Sequence, residues 1–187
     1  MRRFHQCLLI LATLAFSWLG MQAVHEFGHV LGAFASGGKV ARVVLHPATI
    51  SYTRLAENPN PLFVVWLGPL IGVALPLVAL AIARWFRLPG CYLVEFFAGF
   101  CLIANGAYLA LGSFSGVGDA GDLLHHGAPI ALLWLFGVIT IPLGFWLWHG
   151  LGEHFGLSAG QGKVSRTAAY VVLALCLAIV ALELALS

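Results

Sequence analysis

Hydrophobic and polar positions fall in long blocks along this chain. The first apolar block runs from Phe4 to Phe34, and its second half carries His25, Glu26 and His29. Ser36-Gly37-Gly38 closes it, as glycines do at helix C-termini. Residues 40–54 (VARVVLHPATISYTR) are rich in Val, Ile, Thr and Tyr, alternate in part, and contain a His-Pro break. That pattern predicts a short β-hairpin or ribbon at the membrane interface. Asn58-Pro59-Asn60-Pro61 reads as a loop. Further apolar blocks cover Leu62–Trp85 (with Gly68-Pro69 and Pro76 inside), Cys91–Leu111, Ile130–Trp148 and Thr167–Leu186. Between the third and fourth lies the most polar stretch, residues 112–129. A helix needs about 20 apolar residues to cross the hydrocarbon core of a bilayer. The pattern therefore predicts an all-α polytopic membrane protein. It would have about five transmembrane helices, a short interfacial β-hairpin and a re-entrant polar loop.

Composition agrees. Of 187 residues, 61% are hydrophobic and 9% charged, and the mean hydropathy is +0.97. Soluble domains are roughly 45–50% apolar and about 25% charged. Such a chain cannot clothe a soluble globule in polar groups, and it is far too apolar for intrinsic disorder. The net charge of +2, with no basic tract, argues against a nucleic-acid partner. Cys7, Cys91, Cys101 and Cys176 lie in or beside apolar runs without C-x-x-C spacing, and read as small hydrophobes. Met1-Arg2-Arg3 before an apolar run is signal-like, but no clear small-residue cleavage site precedes the polar cluster, so retention is expected.

His25-Glu26-Phe27-Gly28-His29 is an H-E-x-x-H motif. Residues i and i+4 share a helix face, so both imidazoles can bind one ion. Glu26, about a third of a turn away, is placed to act as general base toward the attacking water. Ionisable groups are costly inside a membrane helix and are usually functional there. A structural alternative is a polar seam in which each histidine bonds a carbonyl of a neighbouring helix. A catalytic zinc takes three protein ligands. The chain has seven carboxylates, and its only two aspartates, Asp119 and Asp122, share the stretch GVGDAGDLL. Irregular polar backbone at membrane depth is tolerated where protein buries it or water lines it. This stretch is therefore the candidate source of the third ligand, with a solvated loop of helix-capping aspartates as the plainer reading.

These residues carry a family resemblance. HEFGHVLGAFASGGKV (25–40) resembles the H-E-x-G-H-x-x-x-A-x-x-x-G-x-x-V opening of the site-2 protease family of intramembrane zinc metalloproteases, the M50-like peptidases. GPLIG (68–72) resembles that family's G-P-x-x-N element, and GDAGDLL (118–124) its L-D-G-G-R-I-L element. The resemblance covers about residues 20–125, and is better to the small bacterial members than to the well-known regulatory ones. It implies a core over residues 1–128, with additional transmembrane helices over 129–187. It also implies one Zn2+ held by His25, His29 and Asp119, with Glu26 as base, in a multi-pass protein of a bacterial inner membrane. The reaction would be hydrolysis of peptide bonds in membrane-embedded or membrane-proximal substrates. This chain departs from the pattern at Gly72, where the family has asparagine, at Ala120, and in lacking the N-x-x-P-x-P run before the aspartate. Lysines and arginines divide six to three in favour of a cytoplasmic N-terminus, which puts the motif toward the opposite side. The resemblance puts it toward the cytoplasmic side, and the expectation follows the resemblance.

Other readings stay open. Glu95 is an alternative third ligand in a zincin arrangement, although an interfacial position near Arg87 suits it better. His125 or His126 is an additional ligand or, more simply, solvated; His46, His149 and His154 read as interfacial. Glu183 either snorkels or faces a neighbouring helix, Asn105 hydrogen-bonds across helices, orients substrate or, more simply, packs, and Gly68-Pro69 shapes the second span near the ion. The strand-like 40–54 segment is suited to pairing with an unwound substrate. Serine-protease patterns fail, since Ser113-Phe114-Ser115-Gly116 has neither G-x-S-G nor G-x-S-x-G. The rival from another class is a non-enzymatic metal-binding or metal-transporting membrane protein, which has no need of Glu26 as a base.

Overall fold

Each long apolar block is a helix, because backbone groups in lipid must find their partners within the segment. The computed structural model describes residues 2–157 and 164–186. Lys163, one of the six basic residues on the side of the N-terminus in the lysine and arginine division, lies outside them. Helix α1 spans Arg2–Ala35, followed by strands β1 (Lys39–Val44) and β2 (Tyr52–Glu57). Helices α2 (Pro61–Trp85), α3 (Cys91–Ser115), α4 (Gly118–His125), α5 (Ile130–Trp148) and α6 (Arg166–Leu186) complete the chain. A 3-10 turn at Leu151–Glu153 precedes α6. All of these helices except α4 are long and apolar enough to cross a membrane, and the chain is a multi-pass membrane protein. Its outer helix faces are apolar, with Leu11, Val138 and Leu177 exposed where lipid would lie.

Local chemistry sets the boundaries. Beyond α1, the Gly38 amide bonds back to the Ala33 carbonyl (2.7 Å) across Gly37, whose φ is +76°. The hairpin is antiparallel, pairing Val43 with Thr53 and Val44 with Tyr52, and its register shifts on either side of Val40. Asn60 caps α2 by accepting from the Phe63 amide (3.3 Å), with Pro61 at the first helical position. Helix α3 runs four residues beyond the expected Leu111, to Ser115. The hydroxyls of Ser113 and Ser115 donate to the carbonyls of Ala110 (2.7 Å) and Gly112 (3.1 Å), so these polar residues are absorbed into the helix.

The polar stretch after α3 folds back on it. Gly116 (φ +62°) and Gly118 (φ +61°) reverse the chain, a turn that residues with a Cβ rarely adopt. The eight-residue α4 then lies against the end of α3, burying Ala120 and Leu123 with Leu109 of α3 and Leu133 of α5. Helices α3 and α5 approach closely along small residues. A Cβ on Gly144 would sit 2.7 Å from the Gly99 carbonyl, and one on Gly137 3.0 Å from that of Gly106. Helix α6 packs along α1, where Leu9, Ala12, Ala169 and Val172 share a core with Phe155. The last turns of α1, the hairpin, the first turns of α2, the end of α3 and α4 meet at one end of the bundle.

Candidate metal centre

His25 and His29 sit one helical turn apart on α1, 7% and 8% exposed. Their ring orientations are decided by other helices. The Nδ1–H of His25 donates to Asn105 Oδ1 on α3 (2.7 Å). The Asn105 amide cannot be turned round, because its Nδ2 donates to the Cys101 carbonyl (2.9 Å). The Nδ1–H of His29 donates to the Val64 carbonyl on α2 (3.0 Å). A carbonyl oxygen can only accept, so both hydrogens stand on Nδ1 and both Nε2 lone pairs are left free. Those atoms are 3.1 Å apart. Asp119 Oδ2, at the start of α4, is 2.8 Å from the first and 3.2 Å from the second.

Three acceptors thus converge on one point, and only a proton or a cation between them relieves their repulsion. A tetrahedral ion bonded at about 2.0–2.1 Å spaces its ligand atoms roughly 3.3 Å apart, close to the three separations found. The group His25, His29 and Asp119 can therefore hold a metal ion. Burial alone would raise the Asp119 carboxyl, but where a proton occupies the cluster, hydrogen bonds and charge from the imidazoles outweigh burial and hold that carboxyl well below the usual carboxylate range. Space for the ring of His29 comes from Gly68, where a Cβ would collide with the imidazole. A Cβ on Gly72 would lie 2.8 Å from Asn105 Oδ1. The Asn105 amide of α3 thus occupies the space that Gly72 leaves on α2. Gly118 plays a similar part for α4, since a side chain on it would strike Tyr108, whose hydroxyl accepts from the Asp119 amide (3.1 Å).

Glu26 is 5% exposed and outside the ligand cluster. Its Oε1 accepts from Ser51 Oγ (3.1 Å) and its Oε2 from Thr53 Oγ1 (2.7 Å), both on the hairpin. One turn earlier, Gln22 Oε1 accepts from the Ser51 backbone amide (2.8 Å). Beside His25 and Glu26 opens a cavity of about 300 Å³, walled mainly by Trp18, Met21, Ile50 and Tyr108.

The other candidate residues stand elsewhere. Glu95 is ion-paired with Arg84 (2.6 Å) near the start of α3, while the cluster meets α3 at Asn105. The nearby cation is thus Arg84 rather than Arg87. Asp122, His125 and His126 are exposed, the two histidines packing edge to face on each other. His46 is half-buried and accepts from the Ala48 amide (3.1 Å); His149 is exposed, and His154 stacks on Tyr92. Glu183 is buried, which excludes snorkelling. Of the readings open for Asn105, the hydrogen bond across helices is the one present, while nothing in the sequence singles out Val64, Tyr108, Ser51 or Thr53. A buried asparagine in an apolar span was the one available signal. No family model matches the chain, and neither does any curated protein or solved structure.

Proposed function

We propose that the protein is a zinc-dependent intramembrane endopeptidase that hydrolyses peptide bonds of membrane-embedded or membrane-proximal substrates. One observation carries this reading. Two histidine lone pairs and an aspartate converge within a bundle of helices long and apolar enough to span a membrane, and beside them a buried glutamate borders an apolar cavity. The soft–hard mixture of two imidazoles and one carboxylate suits zinc. When bound, zinc would polarise the scissile carbonyl and acidify the attacking water. Glu26 takes that water's proton on a carboxylate oxygen and passes it to the leaving amine nitrogen. Asn105 and the Val64 carbonyl hold the imidazoles in the ligating tautomer. The apolar walls limit water, which strengthens every charge interaction inside. An intact transmembrane helix hides its peptide bonds, so the substrate must enter locally extended, and the two-stranded hairpin offers strand edges beside the site.

The test uses purified protein in liposomes with zinc and a panel of single-span model peptides. Wild type is expected to cleave members of the panel. Glu26→Gln is expected to retain bound zinc, measured by atomic emission, while turnover falls about 10²–10⁴-fold. Cleavage by zinc-loaded Glu26→Gln at the wild-type rate would overturn the mechanism. Zinc flux into the liposomes without any cleavage would favour a transport role instead.

A further inference from the structure

Glu26 is a buried carboxylate, and its partners among the described residues are two neutral hydroxyls rather than a cation. A buried carboxylate must be hydrogen-bonded to be tolerated at all. It has about four acceptor positions, and the hairpin fills one on each oxygen. We propose that Ser51 and Thr53 are positioning residues for Glu26, so that the hairpin sets the direction in which the base presents its remaining lone pairs. This inference rests on the reading of Glu26 as the proton acceptor.

The placement is built from both sides. On α1, Gln22 and Glu26 are four residues apart and share a face next to the one that carries His25 and His29. Both contact the hairpin, Gln22 through the Ser51 backbone amide and Glu26 through the two hydroxyls. On the hairpin, Thr53 is paired with Val43 in the ladder, so its hydroxyl inherits the rigidity of a strand rather than the mobility of a loop. Ser51 is buried, and with Ile50 it borders the cavity that reaches His25 and Glu26. The hairpin is thus at once the wall beside which a peptide would lie and the support of the group that activates water. Neutral donors orient the carboxylate without cancelling its charge.

The experiment compares Thr53→Val, Ser51→Ala, the double variant and Thr53→Ser, using a peptide that wild type cleaves in liposomes. Misplacing a reacting group by about 1 Å can cost roughly 10²-fold. The double variant is expected to lose on that order in kcat, with KM and bound zinc unchanged. Thr53→Val is expected to lose less, and Thr53→Ser, which restores a hydroxyl, to recover most of the rate. Wild-type kcat in the double variant, or a raised KM at constant kcat, would overturn the proposal. A second readout needs neither zinc nor turnover. In metal-free protein, Glu26→Ala should speed amide hydrogen exchange across residues 45–53 by about tenfold or more, because hydrogen bonds to a charged acceptor are lost. Unchanged exchange would also overturn it. If Glu26→Gln is inactive while the Ser51/Thr53 variants are fully active, this inference alone fails. If Glu26→Gln is active, the reading of the base fails and takes the inference with it.

Discussion

Two oxygen atoms, Val64 O and Asn105 Oδ1, set the tautomer of a pair of histidines. Each takes the Nδ1 hydrogen and so leaves Nε2 able to bind an ion. Such partners outside the ligand set typically contribute 10–100-fold to metal affinity. Asn105→Leu is accordingly expected to weaken zinc binding by about 10–100-fold, measured by competition with a chromogenic chelator. Asn105→Asp keeps an acceptor on His25 Nδ1 and is expected to lose less. Equal losses in both variants would mean that shape, not tautomer selection, is the contribution of Asn105. At the same scale, Gly68 and Gly72 act by what they lack: the first leaves room for the His29 ring and the second for the Asn105 amide.

Among the elements, α3 and α5 show how a bundle coheres where lipid removes the hydrophobic incentive to associate. Packing must then come from close backbone approach at small residues. Gly99 and Gly106 on α3 meet Gly144 and Gly137 on antiparallel α5, each pair seven residues apart along its helix. Gly137→Leu forces a side chain against Ala110 and the Gly106 carbonyl. It is expected to destabilise the protein by about 1–3 kcal/mol or more, read as a lower unfolding temperature in detergent. Because α5 supplies no ligand, the fraction that remains folded should bind zinc with near wild-type affinity. Helix α4 is the opposite kind of element, short and polar, and held by two positive-φ glycines so that Asp119 returns to the level of His25.

At the scale of the molecule, the ligand cluster ties α1 to α4, while α2 and α3 back it through Val64 and Asn105. An ion bound there would stabilise the native state by mass action, about 2.7 kcal/mol at a hundredfold excess over Kd. Zinc is therefore expected to raise the unfolding temperature of wild type and a chelator to reverse the gain. Asp119→Ala should respond to neither. A wild-type melting curve indifferent to both would argue that the three groups hold a proton rather than an ion.

The spans were legible in the sequence because bilayer thickness and backbone satisfaction act locally, on consecutive residues. The spacing of His25 and His29 was legible because helix periodicity is also local. The scarcity of carboxylates narrowed the third member to Asp119, Asp122 or Glu95 without deciding among them. The family resemblance pointed to Asp119, and the tertiary structure brings Asp119 to the imidazoles by folding α4 back along α3, while Glu95 pairs with Arg84. The tertiary structure also decided what holds each of these groups in place. Asn105 lies 80 residues from His25, and Thr53 lies 27 from Glu26. Nothing in either local pattern marks such a contact, because the directions that bring a hydroxyl or an amide to a given atom are set by how whole helices and strands pack. The sequence alone thus determined the spans and the pair of imidazoles. The fold determined which carboxylate meets them, which lone pairs are free, and which strand holds Glu26.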